Sequence, residues 1–199
     1  MPGWAAYNEK LESNPLATKA MTSLIGWALG DYLAQTFIGG GGVFNFKRFA
    51  RLSAFGFLYH GPSGHYFYNW LDKQIVGTGP VAVAKKVRVF VFTKIFIYTH
   101  SLTQPPPFFI TKVLFDQLIW CPIFMTVFFA YLGLVTGDSL AAISAKISAD
   151  LFTAVKGSWK VWPLVHTINF RFVPTKHRLL YINTVQIGFN IFLSLIGSK

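Results

Sequence analysis

The stretch that most constrains this chain is residues 15–38, which read PLATKAMTSLIGWALGDYLAQTFI. A helix of this length, rising 1.5 Å per residue, can cross a hydrocarbon layer about 30 Å thick. Its second half carries Asp31 and Gln35, which are one turn apart and therefore share a face. An acid inside a membrane span costs about 2.5–3.5 kcal/mol on insertion scales, so it should face protein or water. We therefore predict that this helix is one wall of a small bundle with a polar centre.

Small residues follow a neighbouring face of the same helix. Gly26 and Gly30 are four residues apart, and Thr18, Thr22 and Ala34 continue the pattern in both directions. Such spacing allows a second helix backbone to approach closely. The second helix can belong to the same chain or to another copy, so the pattern is also compatible with a homo-oligomer.

Composition supports a membrane environment. Of the 199 residues, 53% are hydrophobic and only 13% are charged, whereas about 25% are charged in a typical soluble domain. We expect an all-α integral membrane protein: one membrane domain, with a bundle of about four transmembrane helices and an amphipathic interfacial helix. The predicted spans are residues 15–38, 49–71, 113–135 and 178–196, and the interfacial helix is residues 139–156.

The net charge of +11 raises nucleic acid as an alternative partner. Lys and Arg occur in short groups between apolar stretches, not along one helix face or in a tail, which is typical of loops and headgroup anchors. We therefore expect the lipid bilayer as partner and no direct binding of nucleic acid. The charges do not settle the orientation, because positive residues fall on both predicted sides.

Residues 87–112 do not fit this pattern. They are rich in Val, Phe, Ile and Thr, contain scattered basic residues without a helical stripe, and include the helix-breaking run Pro105–Pro107. Without them, Ala84-Lys85-Lys86 would join Val113 directly. Val-Arg at the start of the segment can be encoded as a donor splice site, and the run of Pro and Phe requires a pyrimidine-rich tract. We hypothesise a translated, unspliced intron; a genuine insertion is the alternative.

Polar residues inside the predicted spans are the candidate functional residues. Asp116 and Gln117 begin the third span, and His65 and Arg178 are candidate charge partners for the buried acids. Gly61 and Pro62 interrupt the second span and are predicted to kink it or to permit close packing. The chain has no nucleophile with a neighbouring base, no catalytic carboxylate pair and no metal-ligand spacing, so we expect neither an enzyme nor a cofactor.

Short motifs occur in order along nearly the whole chain. They comprise Asn14, Pro15, Thr18, Lys19, Gly30, Asp31 and Gln35; Gly61, Pro62, His65, Tyr68 and Leu71; Asp116, Gln117 and Pro122; and Trp159, Trp162, Pro163, Asn169, Phe170, Val173, Pro174, Arg178 and Asn190. In this order they resemble the Mpv-seventeen / peroxisomal membrane protein of 22 kDa family, with the C-terminal group the most specific. Residues 87–112 depart from the family, in which a short basic loop leads directly into the third span.

The resemblance implies a small multi-pass protein of a peroxisomal, mitochondrial inner or plastid membrane. The family is associated with small-solute permeability, redox balance and maintenance of organelle DNA. Two functions are consistent with the residues. One is a weakly selective channel or solute pathway lined by the buried polar groups. The other is a non-conducting structural or partner-binding protein, in which the same groups only join helix to helix.

Overall fold

The computed structural model describes residues 2–38, 43–75 and 108–197, and these residues are helical apart from short turns and caps. No strand occurs in these ranges, which confirms the all-α prediction. The helices are α1 (Pro2–Ser13), α2 (Pro15–Ile38), α3 (Phe46–Phe55), α4 (Gly61–Gln74), α5 (Phe108–Phe115), α6 (Cys121–Thr136), α7 (Leu140–Ser158), α8 (Trp162–Phe172) and α9 (Arg178–Gly197).

Helices α2 and α9 form the most extensive contact between described helices. A Cβ atom added at Gly26 would lie only 2.8 Å from Cβ of Asn183, so the missing side chain is what lets α9 approach. On the other side of α2, a Cβ added at Gly61 would lie 2.5 Å from Cα of Ala20. The glycines at positions 26 and 61 therefore lie where α2 packs closely against α9 and α4.

Two wide π-helical turns interrupt otherwise continuous helices. Gly56–His60 joins α3 to α4, and Asp116–Trp120 joins α5 to α6. In each case a proline follows at the second position of the next helix, Pro62 in one and Pro122 in the other. Proline has no N–H and its ring clashes with the carbonyl four residues earlier, and a wider turn relieves both problems. The predicted second and third spans are thus continuous helical stretches, residues 46–74 and 108–136.

The C-terminal half folds back on the third stretch. Helix α7 packs along α6, with Ile143 and Val155 buried, while Leu140 at its start is 76% exposed. Helix α8 is a short segment with Trp162 and Pro163 in its first turn, and it contacts α5 and α9. A core of Phe67, Tyr68, Leu71, Val113, Phe170 and Leu179 joins α4, α5, α8 and α9.

Length and hydropathy single out one helical stretch of the described chain as able to cross a membrane, Phe109–Thr136, with a mean hydropathy of 2.1. Helix α2 has 24 residues, about 36 Å at 1.5 Å per residue, but Lys19 and Asp31 make it more polar. Residues 87–107 of the atypical segment lie outside the described residues. Residues 108–112 form the first turns of α5.

Candidate functional site: a cavity with two acids

A cavity of about 820 Å³ lies inside the helix bundle. Most of its wall is apolar or aromatic, and α2, α3, α4, α6, α8 and α9 all contribute to it. Its polar and charged lining side chains are Asp31, Arg48, His60, Ser63, Tyr68, Asp116, Gln117, Ser158, Lys160, His166 and Gln186. We call this space the central cavity. Its two carboxylates, Asp31 and Asp116, come from helices far apart in the sequence.

Asp31 reaches the central cavity from the second half of α2, and its side chain is 1% exposed. Gln35 donates a hydrogen bond to it at 2.7 Å, so the two residues do share a face. Arg48 Nε lies 2.8 Å from Asp31 Oδ1 and is itself 54% exposed. The backbone N–H of Asn45, the residue that caps α3, donates to Gln35 Oε1 at 2.6 Å. The acid is therefore held between α2 and the start of α3.

Asp116 and Gln117 both turn inward because they lie in the π-helical turn between α5 and α6. Gln117 Nε2 donates to Asp116 Oδ2 at 2.7 Å, and His166 Nε2 of α8 lies 3.3 Å from the same oxygen. The indole N–H of Trp159 donates to the Gln117 carbonyl at 3.1 Å. One wide turn thus supplies both side chains of the pair, while His166 and the motif residue Trp159, further along the chain, hold it in place.

Several buried polar atoms around Asp116 have no hydrogen-bond partner among the described residues. They are Asp116 Oδ1, Gln117 Oε1, His166 Nδ1 and both amide atoms of Asn169. Asn169 is fully buried on α8, one turn after His166. A buried polar atom without a partner costs about 1–3 kcal/mol, and such atoms normally bind water or a ligand. The protein itself therefore leaves this group of polar atoms without hydrogen bonds, next to the central cavity that Asp116, Gln117 and His166 line.

Other buried polar side chains are satisfied by one another. His60 Nδ1 lies 3.0 Å from Ser23 Oγ, and Asn183 Nδ2 donates to the same oxygen at 3.2 Å. These contacts join α2 to α9 and to the turn before α4. Only Asn183 Oδ1 lacks a partner among the described residues here, whereas several atoms around Asp116 do.

A second charged group lies at one end of the bundle, and we call Asp72, Lys112, Thr175 and Arg178 the Asp72 cluster. Arg178 Nη1 donates to both oxygens of Asp72 at 2.7 and 2.8 Å. Lys112 Nζ lies 2.5 Å from Oδ1, and the Thr175 hydroxyl donates to Oδ2. Burial raises the pKa of Asp72, but the hydrogen bonds from Arg178, Lys112 and Thr175 outweigh burial and lower the pKa below its ordinary value.

Comparison with known proteins identifies the kind of chain. A Dictyostelium discoideum protein, PXMP2/4 family protein 3, is 32% identical over 193 residues, covering 97% of this chain and 90% of that protein. Residues 133–194 match the Mpv17 / PMP22 family. The chain belongs to the Mpv17 / PMP22 family.

Two further relatives agree with this assignment. The bovine Peroxisomal membrane protein 2 is 28% identical over 197 residues, covering 96% of this chain and 87% of that protein. Protein sym-1 of Neurospora crassa is 26% identical over 195 residues, covering 97% of this chain and 98% of that protein. No solved structure matches the chain.

Part of the C-terminal motif lies on the side of the central cavity that carries Asp116. Trp159 binds the Gln117 carbonyl, Trp162 lines the central cavity, and Pro163 begins α8. Asn169 and Phe170 are buried on α8. Pro174 follows the helix, precedes a single 3-10 turn and is exposed. The side chain of Asn190 lies outside the described side chains.

The structure brings together only part of the predicted polar set. Asp31, Asp116 and Gln117 line the central cavity, and Gln35 binds Asp31 directly. Two other candidates lie elsewhere. His65 is beside Asn69 on α4, with ring nitrogens 3.3 and 3.5 Å from the amide nitrogen. Arg178 binds Asp72 and not an acid of the cavity.

Sequence reasoning missed Asp72, Arg48 and His166. Asp72 stands one residue beyond the predicted second span, where a carboxylate looks like an ordinary headgroup-level residue. The sequence did contain a signal for the pairing of Asp72 with Arg178. The chain has only seven acids, and Arg178 opens the last predicted span, so few carboxylates were available to pair with it. The approach of His166 to Asp116 depends on how α8 packs against the bundle, which the local sequence does not show. Among the described residues, no group of three or more His, Cys, Asp or Glu side chains is arranged to hold a metal ion.

Proposed function

We propose that this organelle-membrane protein forms a weakly selective pathway for small polar solutes, contributing to membrane permeability and redox balance. The observation that carries the proposal is the central cavity, which places Asp31 and Asp116 inside a bundle of largely apolar helices. Intramembrane acids are rare and mark solute or ion pathways by default. We further propose that the protein is not an enzyme.

The outer surface of the bundle supports a membrane position with about four spans. Met21, Ile25 and Leu29 are four residues apart on α2 and are each about half exposed. Leu118 and Ile123 are similarly exposed on the stretch that includes α6. An apolar stripe on the outside combined with acids on the inside is the arrangement that a bilayer favours. The relative named Peroxisomal membrane protein 2 supports a peroxisomal membrane, and a mitochondrial membrane is the alternative.

The charges that line the cavity support weak selectivity, because the basic Arg48 and Lys160 equal the acidic Asp31 and Asp116 in number. Arg48 offsets Asp31 at close range, whereas Asp116 has only the buried imidazole of His166 and the amide of Gln117 beside it. The unpartnered atoms around Asp116 provide hydrogen-bonding capacity for a solute that has lost its water. Weak selectivity follows because most of the wall is apolar and aromatic.

Solute flux in proteoliposomes tests the proposal. Asp31→Asn removes one charge of the cavity without changing side-chain size, and we expect lower conductance or a weaker cation preference. Asp150→Asn is the matched control, because Asp150 is exposed on α7 and pairs only with Lys146. The proposal fails if the natural protein passes no current or solute, or if Asp31→Asn and Asp150→Asn behave identically.

A structural or partner-binding protein is the alternative, and the contacts of Ser23 with His60 and Asn183 favour it. Such bonds explain buried polar residues by helix packing alone, each contributing about 0.6 kcal/mol in a membrane. Gly30 is buried and lies on the face of α2 that carries small residues. Gly30→Leu therefore tests whether this face takes part in assembly. Loss of a crosslinked oligomer in mild detergent, with solute flux unchanged, would favour assembly over conduction.

A further inference from the structure

Lys19 is a buried cation without a counter-charge. It lies in the second turn of α2 and is only 4% exposed. Among the described residues it makes no ion pair and its ammonium group donates no hydrogen bond. The side chain is largely buried but its ammonium group keeps some accessible surface, so an anion can reach it and replace the water that the fold has taken away.

The chain has no acid left to neutralise this lysine. Its seven acidic side chains all lie in the described residues, and none forms an ion pair with Lys19. Five have basic partners: Glu12 with Lys176, Asp31 with Arg48, Asp72 with Lys112 and Arg178, Asp116 with His166, and Asp150 with Lys146. Glu9 and Asp138 are exposed.

The neighbours of Lys19 are basic as well. Lys19 interacts electrostatically with Arg178, His65 and His177. The close contact of Gly61 with α2 brings α4 beside Lys19, and His65 follows Gly61 by four residues on the same face. His177 is fixed by stacking on Trp4 at 4.9 Å. Burial first, and then the charges of Lys176 and Lys19, lower the pKa of His177.

We propose that Lys19, His65 and His177 bind a phosphate group, carried by a phospholipid headgroup or by a phosphorylated solute. An anion here supplies the counter-charge that the chain lacks. The three donors belong to α2, α4 and the turn before α9, and donors from three elements suit the several acceptor oxygens of phosphate. Arg178 is held by Asp72, so it contributes positive potential and not a direct bond.

This phosphate site is separate from the proposed solute pathway. None of Lys19, His65 and His177 lines the central cavity. The site lies near α1 and the turn before α9, since Glu12 pairs with Lys176 and Trp4 stacks on His177. Its test therefore does not depend on whether the cavity conducts.

Two probes distinguish the sources of the phosphate. In the first arm, inorganic phosphate is added to the detergent-solubilised full chain, and binding is followed by ³¹P NMR and by the rise in Tm. In the second, the protein is placed in nanodiscs of phosphatidylcholine with or without phosphatidic acid, and retained lipid is measured by native mass spectrometry. We compare the natural chain with Lys19→Met, and Lys10→Met on exposed α1 is the matched control.

We expect Lys19→Met to weaken binding about tenfold or more in at least one arm, and Lys10→Met to leave it unchanged. Binding in the first arm identifies a phosphorylated solute, and binding in the second alone identifies a lipid headgroup. His177→Phe keeps the stacking on Trp4, removes the ring nitrogens, and should weaken binding about fivefold; it serves if Lys19→Met does not fold. The proposal is overturned if the natural chain binds neither probe or if Lys19→Met and His177→Phe bind as well as the natural chain.

Discussion

The Asp72 cluster and the surroundings of Asp116 both contain a carboxylate packed among helices, 24% exposed at Asp72 and 3% at Asp116, but they differ in how fully it is bound. Asp72 accepts from Arg178, Lys112 and Thr175. Asp116 uses one oxygen for Gln117 and His166 and leaves the other without a described partner. A carboxylate saturated by its own chain fixes structure, whereas an unsaturated one is available to water or solute. We therefore expect the first group to act mainly on stability, and solute contact by the second remains part of the proposed function.

Loss of Asp72 is expected to have the largest effect on stability. Asp72→Ala leaves Arg178 and Lys112, which are 7% and 12% exposed, without their counter-charge. Breaking a buried ionic group in this way costs about 3 kcal/mol. Thermal or denaturant unfolding in detergent measures the loss. Asp150→Ala, which breaks an exposed pair on α7, should cost at most about 0.5 kcal/mol. Equal effects of the two variants would remove the contrast that we draw.

Gly61→Ala tests whether close packing of α4 against α2, and not charge alone, stabilises the protein. The added Cβ would meet the backbone of α2, which moves only with the helix, so we expect a loss of about 2 kcal/mol. Gly188→Ala on α9 is the control, because nothing lies within 4 Å of its added Cβ. There alanine should stabilise the helix by up to about 1 kcal/mol. The same unfolding assay measures the change in unfolding free energy for both variants. The packing argument would be contradicted if both substitutions stabilised the protein or both destabilised it.

Acid should weaken the Asp72 cluster. The folded pKa of Asp72 is lowered, so its stabilising effect is complete above the ordinary aspartate pKa of about 4 and disappears as the pH falls through the folded value. We expect the unfolding free energy to fall by about 1 kcal/mol or more at that end of the pH range. Comparing pH profiles of the natural chain and Asp72→Asn isolates this contribution. A difference between them that stays constant across acid pH would show that Asp72 does not titrate as described.

Asp116→Asn should change stability by less than about 1 kcal/mol, because the amide keeps an oxygen for Gln117 and His166 and removes a buried charge. Solute flux through the protein should change, which separates this residue from Asp72. Unfolding and solute flux are both measured on the same preparations of the natural chain and of Asp116→Asn. Strong destabilisation by Asp116→Asn would place Asp116 with the structural group instead.

Deletion of residues 87–112 should have the smallest effect. Lys86 would then precede Val113, as Lys112 does now, so a lysine stays available to Asp72. If the segment is an unspliced intron, the shortened chain keeps the unfolding free energy and the solute flux of the full chain. Sequencing the mature transcript is the direct check. Codons for the segment in most transcripts, or a large loss of stability on deletion, would favour a genuine insertion.

Local sequence features predicted much of the fold. The continuous apolar stretches and their flanking residues gave the helices near residues 15–38, 49–71, 113–135 and 178–196, because helix formation depends on neighbours within one or two turns. The hydrogen bond between Gln35 and Asp31 was predictable for the same reason, since residues four apart share a face. The π-helical turns were not predicted, although Pro62 and Pro122 marked where an ordinary helix would clash.

The sequence by itself determined which segments are helical, that polar groups must be buried among them, and how few acids are available to neutralise the basic residues. Only the tertiary structure decided the partners. Asp72 and Arg178 are 106 positions apart, and Asp116 meets His166 only because α8 packs against the bundle. Helical period is a local property, whereas the pairing of buried charges depends on which distant faces meet. For this reason the sequence placed Lys19 in a helix, and only the fold showed that it has no ion-pair partner among the described residues.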